Sequence, residues 1–171
     1  MASLDLNFLG LHTRNPLVLA SGILGTSPSL MARCALEGAG GITSKSCGPE
    51  PRAGHSNPVA LAWDGGVINA IGLTNPGAKE EVPLLRETKK RLAAMGVPLF
   101  ASIFAPTVSQ FGEVARIIAE ADPDLIEVNI SCPNVASEFG TPFSASAESA
   151  AAVTREVRGA VSLPISIKLA P

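Results

Sequence analysis

The chain has few aromatic and few charged residues. Of its 171 residues, 4% are aromatic, with no tyrosine and a single tryptophan, and 16% are charged, whereas 46% are hydrophobic. The interior must therefore be built mainly from aliphatic side chains, alanine and glycine, as is common in repetitive α/β architectures. A chain of this length has the size of one domain and can bury a sizeable core. We therefore expect residues 1–171 to form a single domain.

Several classes of protein are excluded by what is missing. The net charge is -2 and the longest basic run spans residues 89–91, so no nucleic-acid surface is expected. The three cysteines, Cys34, Cys47 and Cys132, have no Cys-x-x-Cys spacing, and the two histidines stand apart, so neither a metal site nor a disulfide framework is predicted. No secretory pattern opens the chain, and no apolar run approaches the ~18 residues of a membrane span. We expect a cytoplasmic protein that binds no membrane.

Strand-like apolar runs alternate with helical patterns along the chain. Strands are predicted at residues 4–9, 17–20, 41–44, 67–69, 98–104, 125–130 and 163–169. Helices are predicted at residues 28–37, 78–95, 108–121 and 146–160, with Pro83 marking the true first turn of the second. Residues 12–16 resemble a turn, and the Pro/Gly/Ser-rich stretch 45–66 is predicted to be a long loop.

This alternation predicts a parallel sheet of about five core strands, built from right-handed βαβ units. Two architectures can use it. One is a (β/α)8 TIM barrel, of which this chain would be the N-terminal portion, and the other is an open doubly wound sheet that could be complete at this length. The chain stops at Ala170-Pro171, directly after a predicted strand and without a covering helix. This ending favours the incomplete barrel.

Polar residues cluster where the predicted strands end. They are Ser21-Gly22, Ser44-Lys45-Ser46, Ser102, the stretch 129–134, and Lys168. Both architectures place ligands at this edge of the sheet. The two lysines follow small or apolar residues, and a buried ammonium needs a partner, which would be an anionic or electron-rich ligand or, alternatively, a salt bridge.

The stretch Val128–Asn134 ends a predicted strand and presents Cys132 between amides and a proline. A thiol held near a substrate proton can act as a general base, and Asn129 and Asn134 offer both donors and acceptors to hold that substrate. The alternative is a small buried hydrophobe. A second candidate loop is Asn69–Gly77, in which Gly72 would let the backbone approach a ligand closely.

These segments, in this order and at this spacing, resemble the class 1 dihydroorotate dehydrogenases over essentially the whole chain. The resemblance rests on Ala20-Ser21-Gly22, Thr43–Ser46, Asn69–Gly77, Asn129–Asn134 and Ile167-Lys168. Cysteine in the Ser131–Asn134 loop is typical of class 1, whereas the membrane-associated class 2 enzymes have serine there. The Asn-Ala-Ile-Gly-Leu stretch is closer to class 1B, whose partner subunit carries FAD and an iron-sulfur cluster and passes electrons to NAD.

The resemblance implies an FMN-containing barrel that oxidises dihydroorotate to orotate in pyrimidine biosynthesis. Cys132 would remove the C5 proton while the C6 hydride passes to flavin N5. The implied substrate ligands are Lys45, Asn69, Gly72, Leu73, Asn129 and Asn134. The implied FMN ligands are Ala20, Ser21, Gly22, Lys45, Ser46, Asn129 and Lys168, with Lys168 near the N1/O2 edge. The whole protein would be a homodimer, or a heterotetramer with the electron-transfer subunit.

The chain departs from this family in length. Family members are longer, and their later strands would supply the FMN phosphate site. We therefore expect an incomplete FMN-binding barrel that is unstable or aggregates alone. Two other functions stay open at this point: a flavin-dependent dihydropyrimidine dehydrogenase, and an inactive half-barrel that pairs with a complementary chain. The electron acceptor, NAD through a partner subunit or fumarate, also stays open.

Overall fold

A computed structural model of the chain describes residues 3–131 and 140–170. The strands are β1 (Leu6–Phe8), β2 (Leu11–Thr13), β3 (Val18–Leu19), β4 (Gly41–Thr43), β5 (Ala60–Trp63), β6 (Gly66–Asn69), β7 (Leu99–Ile103), β8 (Leu125–Asn129) and β9 (Ile165–Lys168). The α-helices are α1 (Pro28–Leu36), α2 (Ala78–Ala93), α3 (Val108–Ala119) and α4 (Ala147–Ala160). Short 3-10 turns lie at Ile23–Gly25 and Phe143–Ala145.

Five strands form one parallel sheet in the order β3, β4, β7, β8, β9. Each strand pairs with the strand that follows it across a helix, so the sheet grows in one direction only. The helices pack in the same order, α1 on α2, α2 on α3 and α3 on α4. A doubly wound sheet reverses its order, whereas a (β/α)8 barrel does not. The predicted five-stranded part of a TIM barrel is therefore confirmed, and the doubly wound alternative is wrong.

The two faces of the sheet differ in chemistry because side chains alternate along each strand. In β7, Leu99, Ala101 and Ile103 belong to the apolar core shared with the helices, as do Ile126 and Val128 in β8. The other face carries the residues between them. On it, Ser102 of β7 is paired with Glu127 of β8, and Asn129 of β8 with Lys168 of β9. The polar residues thus gather on the face that lines the barrel interior.

An N-terminal hairpin precedes the sheet and corrects one prediction. Residues 12–16 were expected to form a turn, but β2 ends at Thr13 and pairs antiparallel with β1. The chain reverses at Leu9 and Gly10, whose φ angles are 52° and 86°. Glycine adopts such angles without steric cost, which makes Gly10 the signal that the prediction missed. The Phe8 ring contacts the Phe100 ring at 6.0 Å between centroids, so the hairpin packs against the interior face of β7.

A second hairpin corrects the predicted long loop over residues 45–66. β5 lies inside that stretch and pairs antiparallel with β6, from Ala60 opposite Asn69 to Trp63 opposite Gly66. The predicted strand 67–69 is confirmed within β6. Asp64-Gly65 between apolar strands is a strong hairpin signal, which the high Pro, Gly and Ser content of the preceding residues obscured.

Helix α2 begins earlier than Pro83 suggested. Its N-cap is Gly77, with a φ of 89°, and Pro83 lies inside the helix rather than in its first turn. Glu80 and Glu81 occupy the first turn, where negative charge interacts favourably with the helix dipole.

Glu81 is nevertheless only 4% exposed, and burial raises the pKa of its carboxyl group to about 7. Burial and the charge of Glu81 also raise the pKa of the Cys47 thiol well above its ordinary value.

Glu81 should make the protein less stable as the pH rises. Because its folded pKa of about 7 exceeds the ordinary value of 4.5, the folded state holds the proton more tightly than the unfolded state. The stabilisation is full below pH 4.5 and is lost as the pH rises through 7, by roughly 3 kcal/mol. Glu81→Gln should remove this slope in urea titrations across that range, whereas Glu80→Gln, at an exposed position, should keep it. If the stability of Glu81→Gln still fell by the same amount between pH 4.5 and 7, Glu81 would not be the group that causes this pH dependence.

Candidate functional site

A cavity of about 620 Å³ opens at the carboxyl ends of the parallel strands. Polar residues that follow β3, β4 and β6 line it together with residues at the ends of β8 and β9. Nine of the residues predicted as ligands are in its wall: Ser21, Gly22, Lys45, Ser46, Asn69, Gly72, Leu73, Asn129 and Lys168. The sheet therefore brings together residues that are up to about 150 positions apart in sequence, as barrel mouths do.

One predicted site residue is not in the cavity wall, and two others are not among the described residues. Ala20 follows β3 directly, is exposed, and is not part of the cavity wall. Cys132 and Asn134 lie outside the described residues. The last described residue before them is Ser131, whose backbone N–H and Oγ both donate to Asn129 Oδ1, at 3.3 and 3.1 Å. The backbone just after β8 is thus held by the side chain of Asn129, which lines the cavity.

The β5–β6 hairpin supplies a wall of the cavity that the sequence did not predict. Ala60, Val67 and Asn69 face the cavity, and Val59 precedes them in the same wall. The four strand residues from Gly66 to Asn69 are all exposed, which shows that the hairpin stands away from the core. The wall is apolar apart from Asn69, so it suits the flat surface of a ring more than a charged group.

The loop between β6 and α2 is fixed by its own residues. Gly72 has a φ of 79°, and a Cβ atom there would lie 2.7 Å from the His55 backbone nitrogen, so no other residue fits without a shift. Asn75 holds the loop from within. Its Nδ2 donates to Leu73 O at 2.8 Å, and its Oδ1 accepts from Gly77 N at 2.9 Å. The loop thus presents Gly72 and Leu73 to the cavity in a fixed conformation.

Lys168 pairs with an acid that the sequence analysis did not single out. Lys168 Nζ donates to Glu127 Oε1 at 2.8 Å, and Ser102 Oγ donates to the same oxygen at 2.8 Å. The salt bridge considered as an alternative for Lys168 is therefore present. The signal in the sequence was an acidic residue in the middle of the otherwise apolar run Leu125–Val128. Such a residue needs a partner, since an isolated buried charge is costly.

Three serines link this ion pair to the far side of the cavity. Ser46 Oγ lies 3.0 Å from Ser21 Oγ and 2.9 Å from Ser102 Oγ. Asn129 Nδ2 also donates to Ser46 Oγ, at 3.1 Å. One continuous hydrogen-bonded chain therefore crosses the site from the end of β3 to the end of β9.

The cavity fits a flavin ring. It offers two lysines and several amides and hydroxyls to the polar edges of a planar ring, and apolar residues of β6 and the following loop to its faces. A methyl group added at Gly22 would meet only Ala20 O, at 3.9 Å, so the wall is open there.

Among residues 3–131 and 140–170, no group of three or more His, Cys, Asp or Glu residues could hold a metal ion. None of the helices in the described part is long and apolar enough to cross a membrane.

Comparison with known proteins gives one consistent result. The sequence profile of the family described as "Dihydroorotate dehydrogenase" matches residues 3–171. Three archaeal relatives are each named "Dihydroorotate dehydrogenase B (NAD(+)), catalytic subunit". The protein of Methanosarcina acetivorans is 41% identical over 96% of this chain and 52% of its own length. Those of Methanocaldococcus jannaschii and Thermococcus kodakarensis are each 38% identical over 54% of their length, covering 98% and 100% of this chain. The chain thus spans about half the length of these curated relatives.

Proposed function

The chain belongs to the dihydroorotate dehydrogenase family, and from this premise we propose that it carries the flavin-ring and substrate site of an enzyme that oxidises dihydroorotate to orotate in pyrimidine biosynthesis. The observation that carries the proposal is the single cavity that contains nine of the predicted ligands. A family match alone gives the fold, and function has to be argued from a site. Here the site and the match support the same reaction.

The residues around the ion pair are proposed to hold FMN. The cavity wall contains five of the predicted FMN ligands near this pair, Ser21, Gly22, Ser46, Asn129 and Lys168, whereas Ala20 is not part of it. FMN, when bound, accepts the hydride that leaves the substrate. The task of Lys168 is to place positive charge at the N1/O2 edge of the ring, which is how proteins tune flavin electronics.

The residues on the hairpin side are proposed to hold dihydroorotate. Lys45 provides a cation for its carboxylate, while the fixed loop at Gly72 and Leu73, with Asn69, supports its ring. Asn129 and Asn134 would complete the contacts, and Cys132 would remove the C5 proton as general base. An uncharged dihydropyrimidine has no carboxylate with which Lys45 could form an ion pair. We therefore expect turnover with dihydroorotate and not with dihydrouracil.

The partner and location belong to the proposal as well. The relatives are named catalytic subunits of an NAD(+) enzyme, which supports a second subunit and NAD as the electron acceptor. From the resemblance to class 1B we propose that this second subunit carries FAD and an iron-sulfur cluster and passes the electrons to NAD. We propose a homodimer or a heterotetramer with that subunit. A cytoplasmic location is supported by cysteines that lack any disulfide or metal spacing.

Filling the cavity at Gly22 tests the proposed flavin site. Gly22 has an extended backbone, with φ 172° and ψ -156°, and its missing side chain would enter open space. Gly22→Leu should therefore leave the thermal midpoint unchanged but weaken flavin binding by about tenfold or more, since overpacking costs roughly 1–3 kcal/mol. Binding is measured by quenching of flavin fluorescence, with FMN and with riboflavin, which lacks the phosphate.

The matched control for this experiment is Gly159→Leu in α4. A Cβ atom there meets nothing within 4 Å, and the residue lies away from the cavity. Flavin binding should be unchanged in this variant. If Gly22→Leu binds flavin as tightly as the unsubstituted protein, the ring does not occupy this cavity and the proposed function loses its support.

A further inference from the structure

Glu127 has no role in the reaction proposed above, yet it contacts Lys168, which lines the cavity. It lies in the middle of β8 on the interior face of the sheet, and its side chain is 16% exposed. One of its oxygens, Oε1, accepts hydrogen bonds from both the Lys168 ammonium and the Ser102 hydroxyl. A charge placed in an otherwise apolar strand is costly, so its position requires an explanation beyond packing.

The charge on Glu127 also fixes the direction of the hydroxyl chain. An ionised carboxylate only accepts hydrogen bonds, and each serine has a single proton to donate. Ser102 gives its proton to Glu127, so Ser46 must donate to Ser102, and Ser21 must in turn donate to Ser46. Ser21 therefore presents only lone pairs to the cavity, and a ligand that approaches it must bring a hydrogen-bond donor.

We propose that Glu127 is a positioning residue that holds the Lys168 ammonium in place and offsets part of its positive charge. This inference rests on the proposed flavin site. A flavin ring gains negative charge at its N1/O2 edge when it is reduced, and an unbalanced lysine would stabilise that form strongly. With Glu127 beside it, Lys168 favours the reduced ring less, which leaves the ring able to pass electrons on to a partner.

The first test uses the protein without flavin. Amine-directed labelling, followed by mass spectrometry, measures how fast the Nζ atom of Lys168 reacts, and its side chain is 34% exposed and so accessible to reagent. Glu127→Gln should make Lys168 react several-fold faster, because the ammonium loses its partner. Lys89, which pairs with Asp124, is an internal control that should not change. An unchanged rate at Lys168 would show that Glu127 does not hold it.

The second test measures the midpoint potential of bound flavin against reference dyes. Glu127→Gln should shift the balance toward reduced flavin by about tenfold, because a negative charge near Lys168 is removed. Glutamine keeps an oxygen that accepts from Lys168 Nζ, so this substitution removes the charge more than it frees the lysine. If Glu127 did not offset the charge of Lys168 and served only to keep the site folded, its loss would displace Lys168 from the ring, and the equilibrium would shift toward oxidised flavin. A fall in potential, or no change, therefore overturns the inference.

A second variant keeps the test decisive if Glu127→Gln does not fold. Ser102→Ala removes one hydrogen bond to Glu127 but keeps both charges. The labelling rate of Lys168 should rise less in Ser102→Ala than in Glu127→Gln, and the midpoint potential of bound flavin should be nearly unchanged. A tenfold shift toward reduced flavin in Ser102→Ala would show that the charge of Glu127 is not what sets the potential. If a complete barrel that contains the unsubstituted chain binds no flavin, the proposed function fails, whereas the labelling rates still decide whether Glu127 positions Lys168.

Discussion

In a complete barrel that contains this chain, replacing Cys132, the proposed general base, with alanine should slow flavin reduction by dihydroorotate by roughly 10²- to 10⁴-fold. Cys132 belongs to the sequence Ser131-Cys132-Pro133-Asn134, which follows the end of β8 at Asn129. Asn129 lines the cavity, and Ser131 is hydrogen bonded to its side chain. Cys132 is therefore the first residue beyond a segment that is anchored at the site. FMN should remain bound, since none of its proposed ligands is changed.

The measurement is rapid-mixing absorbance under anaerobic conditions, with dihydroorotate added to the flavin-loaded protein. Cys34→Ala is the matched control, because Cys34 lies half-buried in α1 and outside the wall of this cavity. It should reduce flavin at the rate of the unsubstituted protein. A Cys132→Ala protein that reduces flavin at that same rate would remove this thiol from the mechanism.

Replacing Gly25 with alanine should lower the free energy of unfolding by about 1–3 kcal/mol and weaken flavin binding as well. A Cβ atom at Gly25 would lie 2.5 Å from Lys45 N, 2.7 Å from Ser44 C and 2.8 Å from Thr43 O. All three are backbone atoms, so the overlap is relieved only if the end of β4 moves. Gly25 O also accepts from Lys45 N at 2.8 Å. The movement would therefore displace Lys45 from the cavity wall.

Gly159→Ala provides the comparison for that substitution. Gly159 lies within α4, where a Cβ atom meets nothing within 4 Å. Alanine is the better helix former by about 0.5–1 kcal/mol, so this variant should be slightly more stable. Urea unfolding of the two variants gives the difference directly. Equal stabilities would mean that the close approach between Gly25 and the end of β4 does not constrain the fold.

Much of the barrel could be predicted from the sequence because its helix-facing core is regular. β7 and β8 contribute Leu99, Ile103, Ile126 and Val128 to that core, and such apolar runs between helices are typical of parallel strands. Polar residues directly after the strands, such as Lys45, were correctly placed at the cavity, since the carboxyl ends of parallel strands meet at one edge. The position of the site thus followed from strand order alone.

The features that the sequence did not predict depend on contacts between distant segments. The β5–β6 hairpin is exposed on both strands, so it lacks the alternation of buried and exposed residues that marks a strand. Glu127 is explained only by Lys168 and Ser102, which lie 41 and 25 residues away. Ala20 was expected to line the cavity but is not in its wall. The roles of Cys132 and Asn134 remain predictions from the sequence.

The most direct test of the proposed function is the anaerobic visible spectrum, with FMN, of a complete barrel that contains this chain, recorded before and after dihydroorotate is added. We expect a protein-bound flavin band that bleaches on addition of dihydroorotate, with one orotate formed for each flavin reduced, and no bleaching with dihydrouracil. A complete barrel that binds no flavin, or a bound flavin whose oxidised band persists in excess dihydroorotate, would show that the proposed function is wrong.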